Sequence, residues 1–187
     1  MATYGEIVHG LMHNGTEVRA AVFEENQVRA AAGLMMALGA TAFAYTYFTR
    51  VYVPMQIVTT VFFVDFLIRV TVGLRHSPTG IVARWMTRRQ PPHWVSAKPK
   101  RFAWTLGLVM TFTMMVVTNI GIRGGLPLTI CVICLALMWM EAVLGLCLGC
   151  EIHRLLVKRG WARDPDYEIC THGACALEPL RGPGGAR

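Results

Sequence analysis

The stretch Leu126-Pro-Leu-Thr-Ile-Cys131-Val-Ile-Cys134-Leu-Ala-Leu-Met-Trp-Met-Glu141-Ala-Val-Leu-Gly-Leu-Cys147-Leu-Gly-Cys150-Glu-Ile-His153-Arg154 decides how the rest of the chain is read. It is apolar for long enough to cross a bilayer, which takes about 20 residues of helix. One carboxylate, Glu141, interrupts it, and a Cys-x-x-Cys closes it. Four of the six cysteines lie here, so any chemistry the chain performs is sought here first.

Outward from this stretch the composition is of the same kind. Of the 187 residues 54% are hydrophobic and 16% charged, with a mean hydropathy of +0.44. A soluble domain carries about 25% charged residues. The shortfall coincides with long uncharged runs, which predicts an all-α polytopic membrane protein rather than a soluble domain. Four transmembrane helices are expected at about 28–48, 54–74, 103–122 and 126–149. They form a domain over residues 27–150, between an N-terminal arm (1–26) and a Cys-containing tail (151–187). The arm has an apolar spacing at Val18, Val22 and Phe23 that suits one short surface helix. It lacks the apolar core and cleavage site of a signal peptide, so the first span is expected to act as its own insertion signal.

The net charge of +7 sits in segments that flank apolar runs. No recognition motif accompanies it, so a nucleic-acid partner is not expected. Orientation in a bilayer explains the pattern. Arg75, Arg84, Arg88, Arg89, Lys98, Lys100 and Arg101 fill the central connection, against single residues, Arg50 and Arg123, in the two short turns. The positive-inside rule then puts both termini in the cytoplasm. Within that connection Ser77-Pro78 reads as an N-cap and first helical turn. Ile81, Val82, Trp85 and Met86 fall on one side and the arginines on the other. This predicts an interfacial amphipathic helix on an anionic leaflet, ended by Pro91-Pro92.

Three charged residues lie well inside the spans. By helical rise, Asp65 lies roughly 13 Å from the cytoplasmic end, Arg69 roughly 8 Å and Glu141 roughly 12 Å. An unpaired charge at such depth is costly, so the three are expected to form one polar cluster joining the second and fourth helices. A structural clamp is the plainer role for it and a proton or ion path the sharper one.

The cysteines divide by position. Cys131 and Cys134, near the outer start of the fourth helix, read as small packing hydrophobes. Cys147 and Cys150 fall at the cytoplasmic surface, followed by His153, Arg154 and Lys158, whose positive charge favours a thiolate. On this reading they occupy the last turn of the fourth helix, whose negative dipole end opposes the thiolate. A second pair, Cys170 and Cys175, flanks His172 in the tail. With Cys147, Cys150 and His153 these make a candidate zinc or copper site. Three readings stand side by side: a dithiol for disulfide or persulfide exchange, a soft-metal site, and unrelated reduced cysteines. A cytoplasmic location disfavours a static structural disulfide.

Several motifs together resemble a bacterial membrane family, domain of unknown function 4395. They are Asn26-Gln-Val-Arg29-Ala-Ala-Ala-Gly33, Val64-Asp65-Phe-Leu-Ile-Arg69, His76-Ser77-Pro78, Pro99-Lys100-Arg101-Phe102 and Glu141-Ala-Val-Leu-Gly-Leu-Cys147-Leu-Gly-Cys150. The resemblance covers about residues 24–156. It implies a small helical membrane protein in which the intramembrane Asp, Arg and Glu and the terminal cysteine pair belong to the family pattern. It carries no established reaction. Relatives beside thioredoxin-like or rhodanese-like proteins favour thiol or sulfur chemistry.

The expected function is therefore thiol–disulfide or sulfane-sulfur exchange with a soluble thioredoxin-like or rhodanese-like partner, through Cys147 and Cys150. The alternatives are an accessory subunit of a larger membrane complex, whose contacts the many small residues would suit, and soft-metal binding or transport.

Overall fold

The structure is a computed structural model, and it describes residues 5–7, 11–13, 16–17, 21–161 and 178–179. Six α-helices carry the described chain: α1 Glu25–Thr49, α2 Val53–Thr71, α3 Pro78–Thr87, α4 Ala97–Asn119, α5 Gly125–Trp139 and α6 Leu148–Lys158. A π-helical turn, Met140–Leu144, extends α5. α1, α2, α4 and α5 with its extension are each long and apolar enough to cross a membrane. The chain is an all-α polytopic membrane protein.

Its surface is inverted relative to a soluble bundle. Phe48 is 81% and Ile57 59% exposed, whereas Asp65, Arg69 and Thr118 are buried. Apolar side chains facing outward cost nothing where the surroundings are hydrocarbon, and charge must then turn inward to find partners.

The two short turns follow their sequence cues. Arg50 takes the left-handed conformation that closes α1, and Pro54 occupies the first turn of α2, where its missing N–H is not needed. At the end of α4 the phenol oxygen of Tyr52 accepts from the Gly124 N–H at 2.7 Å, and Arg123 stacks on its ring.

The opposite face holds everything else: the starts of α1 and α4, the ends of α2 and α5, and α3 and α6. Here α2 ends at Thr71, before the expected residue 74, and a 3-10 turn, Leu74–His76, leads into α3. Ser77 caps α3 as expected, its Oγ accepting from the Gly80 N–H at 3.0 Å. α3 buries Thr79, Gly80, Ala83 and Thr87 and exposes Ile81, Val82, Trp85 and Met86. That is the apolar outer face of an interfacial helix.

The third span starts at Ala97 rather than residue 103, because Ser96 begins the helix and Pro99 is tolerated in its first turn. Strand β3 (Val22–Glu24) pairs antiparallel with β4 (Trp94–Ser96), with Phe23 opposite Val95. Two more short strands, β1 (Leu11–His13) and β2 (Thr16–Glu17), pair with each other, and β1 also pairs with β5 (Glu178–Pro179). Val22 and Phe23 are thus extended, not part of the short surface helix expected there, and Val18 lies outside the described residues. Pairing with residues 94–96, far away in sequence, overrides the local apolar spacing. The main core lies at this face, built from Phe23, Val28, Met35, Phe66 and Trp104. A smaller one, with Tyr52, Met55 and Met114, closes the other.

Candidate functional site

The fourth span does not run to Gly149. Its hydrogen bonds widen into the π turn, and Gly145 then adopts φ +68°, a conformation open to glycine at no steric cost. The Leu146 N–H closes the end on the Met140 carbonyl at 3.0 Å. Helix ends leave carbonyls without partners, and a residue of another helix supplies two donors. Arg29 of α1 reaches the carbonyls of Ala142 (3.3 Å) and Val143 (2.8 Å). A charged cap in the first span therefore stops the fourth.

This corrects the expected setting of the Cys-x-x-Cys. Cys147 is not in the last turn of the fourth span. It is the N-cap of the separate helix α6, and its Sγ accepts from the Cys150 N–H at 3.3 Å. The first turn of a helix presents its positive dipole end, so the backbone here favours negative charge on Cys147. The two cysteines are bonded as a disulfide with Cα atoms 5.1 Å apart. α6 is held against α4 at its first turn. A side-chain carbon on Gly149 would lie 2.6 Å from the Cα of Ala103, so only glycine permits this approach. Further along, His153 meets the Phe102 ring at 5.5 Å.

The three intramembrane charges separate into two groups. Arg69 Nε and Asp65 Oδ2 are 2.6 Å apart, at 2% and 0% side-chain exposure. Thr79 at the start of α3 completes the pair: its N–H and hydroxyl donate to Asp65 Oδ1 at 3.0 and 2.8 Å, and its hydroxyl also accepts from Arg69 Nη2. Arg69 donates further to Met35 Sδ at 3.3 Å and lies over the rings of Phe66 and Trp104. Asp65 and Arg69 thus bind α2 to α3.

Glu141 does not join them by direct contact. It pairs with Lys100 of α4, 2.5 Å from Nζ to Oε1, both side chains largely buried. By sequence Lys100 falls among the charges of the central connection, because the third span is expected to begin only after it. Once α4 starts at Ala97, Lys100 lies one turn inside the helix and needs a carboxylate.

Both groups border one partly open cavity of about 390 Å³ lined by the spanning helices and the start of α6. Its walls are mainly apolar, with Phe62, Trp104 and Met110 among them. Arg69, Lys100, Glu141 and Cys147 all line it; Cys150 does not. Cys131 and Cys134 line it too, with Met55 and Met114.

The second cysteine pair, Cys170 and Cys175, and His172 lie outside the described residues. Among the described residues no three His, Cys, Asp or Glu side chains come close enough to hold a metal ion, and His153 stands against Phe102. Three residues of the site escaped the sequence: Arg29, Lys100 and Thr79. A signal existed for the first two, since each falls within a motif that carries the family resemblance. Thr79 had none beyond following Ser77-Pro78.

No curated protein and no solved structure matches this chain. The family model described as Domain of unknown function (DUF4395) matches residues 23–158, and the chain belongs to that family.

Proposed function

We propose that this protein exchanges a disulfide, or a sulfane sulfur, between Cys147 and Cys150 and a soluble protein of the thioredoxin-like or rhodanese-like kind. The observation that carries the reading is the placement of Cys147 as the N-cap of α6, outside the span, with the Cys150 N–H on its sulfur. A thiolate stabilised there is the better leaving group of the pair. An incoming partner thiolate therefore attacks Cys150 Sγ; the S–S bond to Cys147 breaks and the electron pair stays on Cys147. A second partner thiol then attacks the mixed disulfide and releases Cys150 as a thiol. The partner dithiol is oxidised and the pair reduced. The same geometry run backwards reduces a partner disulfide.

The face carrying Arg84, Arg88, Arg89 and Arg101 supports a cytoplasmic orientation of this site in a bacterial inner membrane. Alkylation trapping in intact membranes tests the proposal. Cys147→Ser should accumulate a mixed disulfide of Cys150 with a partner, and Cys150→Ser far less. A pair that stays fully reduced under every growth condition, with no mixed disulfide in either variant, refutes it.

A further inference from the structure

We infer that the intramembrane cavity is a binding site for a quinone, which takes the two electrons of the reduced Cys147–Cys150 pair; the inference rests on the dithiol reading above. The cavity is long and polarised. It spans from Met55 at the start of α2 to Arg69 near its end, a distance of roughly 20 Å along the helix. The walls between are apolar, and the charges gather at the Arg69 end, where Lys100 and Glu141 also border the space. Such a shape accepts a molecule with an apolar tail and a compact polar head. Its volume of about 390 Å³ falls in the range of small-molecule sites. α5, which supplies Cys131, Cys134 and Leu135 to the wall, has only 6% of its most apolar stretch buried, so this wall of the cavity lies against lipid.

The chemistry of the polar end selects the head. Cys147 borders the cavity and Cys150 does not, so Cys147 is the member of the pair that a ligand in this space would meet. Buried cations, Arg69 at 2% and Lys100 at 6% exposure, stand at the same end, each held by a carboxylate, Asp65 and Glu141. A neutral head that becomes anionic on reduction gains from them at the moment the charge appears. A quinone has this property, and its two carbonyl oxygens accept hydrogen bonds from ammonium or guanidinium groups.

The step balances without another reactant. The Cys147 thiolate adds through sulfur to a ring carbon of the quinone. Cys150 sulfur then attacks Cys147 sulfur; the S–S bond forms, the S–C bond breaks and the electron pair passes to the ring. The two thiol protons end on the two ring oxygens, with the Lys100–Glu141 pair, which borders the same cavity as Cys147, to relay them. One dithiol is oxidised by two electrons and one quinone is reduced to the hydroquinone.

The test uses the full chain in lipid nanodiscs, reduced and freed of reductant, with decylubiquinone as probe. Hydroquinone formation and loss of thiols are followed together, and each variant is also assayed with glutathione disulfide, a water-soluble oxidant. Expected is one hydroquinone formed for each pair of thiols lost. For Lys100→Met and for the cavity-filling Met110→Trp, the rate with quinone relative to that with glutathione disulfide should fall by about a hundredfold. Quenching of tryptophan fluorescence by the oxidised quinone should saturate and lose its largest part in Trp104→Phe. Oxidation by glutathione disulfide without saturable quenching, or equal relative rates in all variants, overturns the quinone site and leaves the dithiol reading standing. Inertness towards both oxidants overturns both.

Discussion

Replacing Arg29 with methionine tests whether a residue of the first span sets the position of the dithiol. The variant removes two hydrogen bonds from a guanidinium to the last carbonyls of the fourth span. A bond to a charged group contributes about 1.5–3 kcal/mol. The bond to Ala142 is long at 3.3 Å and the 2.8 Å bond to Val143 is exposed, so the low end applies to each, about 3 kcal/mol together. That free energy corresponds to a roughly hundredfold larger opening equilibrium for the segment that the cap holds. Hydrogen exchange read by mass spectrometry on peptides covering 140–150 in nanodiscs should show it. The Leu146 amide, bonded to the Met140 carbonyl, should exchange about a hundredfold faster, while peptides from α2 stay protected. Alkylation of reduced Cys147 should accelerate in parallel. Gly145→Ala is the companion variant. Its new carbon meets nothing closer than 3.5 Å, so its effect comes from the left-handed backbone alone, about 1 kcal/mol. Exchange at Leu146 within about threefold of wild type in Arg29→Met would refute the cap.

Other perturbations separate the remaining parts. Arg69→Met strands the buried Asp65 and should destabilise the bundle by about 3–5 kcal/mol in detergent unfolding; Asp65→Asn combined with Arg69→Met should recover a large part of that, and equal losses in both would contradict the pairing. Gly149→Ala places a carbon against the backbone of Ala103, which no rotamer change relieves, so α6 should lift from α4 at a cost of about 1–3 kcal/mol. Faster tryptic cleavage at Arg154 reports it, and unchanged cleavage argues against the contact. The carboxyl of Glu24 is pushed above its ordinary value of 4.5, first by burial and then by Glu6, with Arg84 and His93 pulling it back. The folded state therefore binds this proton more tightly than the unfolded one. Stability is fully present below about 4.5 and falls as pH rises through the raised value. Glu24→Gln should be the more stable protein at neutral pH and lose that advantage in acid; a gap independent of pH would exclude Glu24 as its source.

The membrane architecture was legible because bilayer thickness imposes run length and because the ends of Ser77-Pro78, Arg50 and Pro54 carry local signals. The interior of the fourth run was not. Its apolar residues continue past Glu141 without a break, and a helix terminus formed by Gly145 and a distant arginine leaves only the glycine as a local trace. The same holds for the charges. Asp65 and Arg69, four residues apart on one helix, carry a local spacing that brings them together. Glu141 was assigned to them because Lys100 stood among residues expected outside the membrane. Side chains that meet across helices have no periodicity to betray them. Cys147 and Cys150 were found by type and spacing, but the sign of the helix dipole acting on them depended on where α5 stops.

The β3–β4 ribbon acts as a depth gauge. It ties residues 22–24 to residues 94–96, immediately before α1 and α4, and so sets two spans to begin at one level. At the usual rise these helices, of 25 and 23 residues, extend about 37 and 34 Å, against a hydrocarbon layer of about 30 Å. With their near ends levelled, a thinner or thicker bilayer is accommodated by tilt or at the far ends, around Tyr45, Tyr47 and Phe48. Cys147 and Cys150, on the levelled side, then keep their height relative to the starts of α1 and α4 whatever the membrane's thickness.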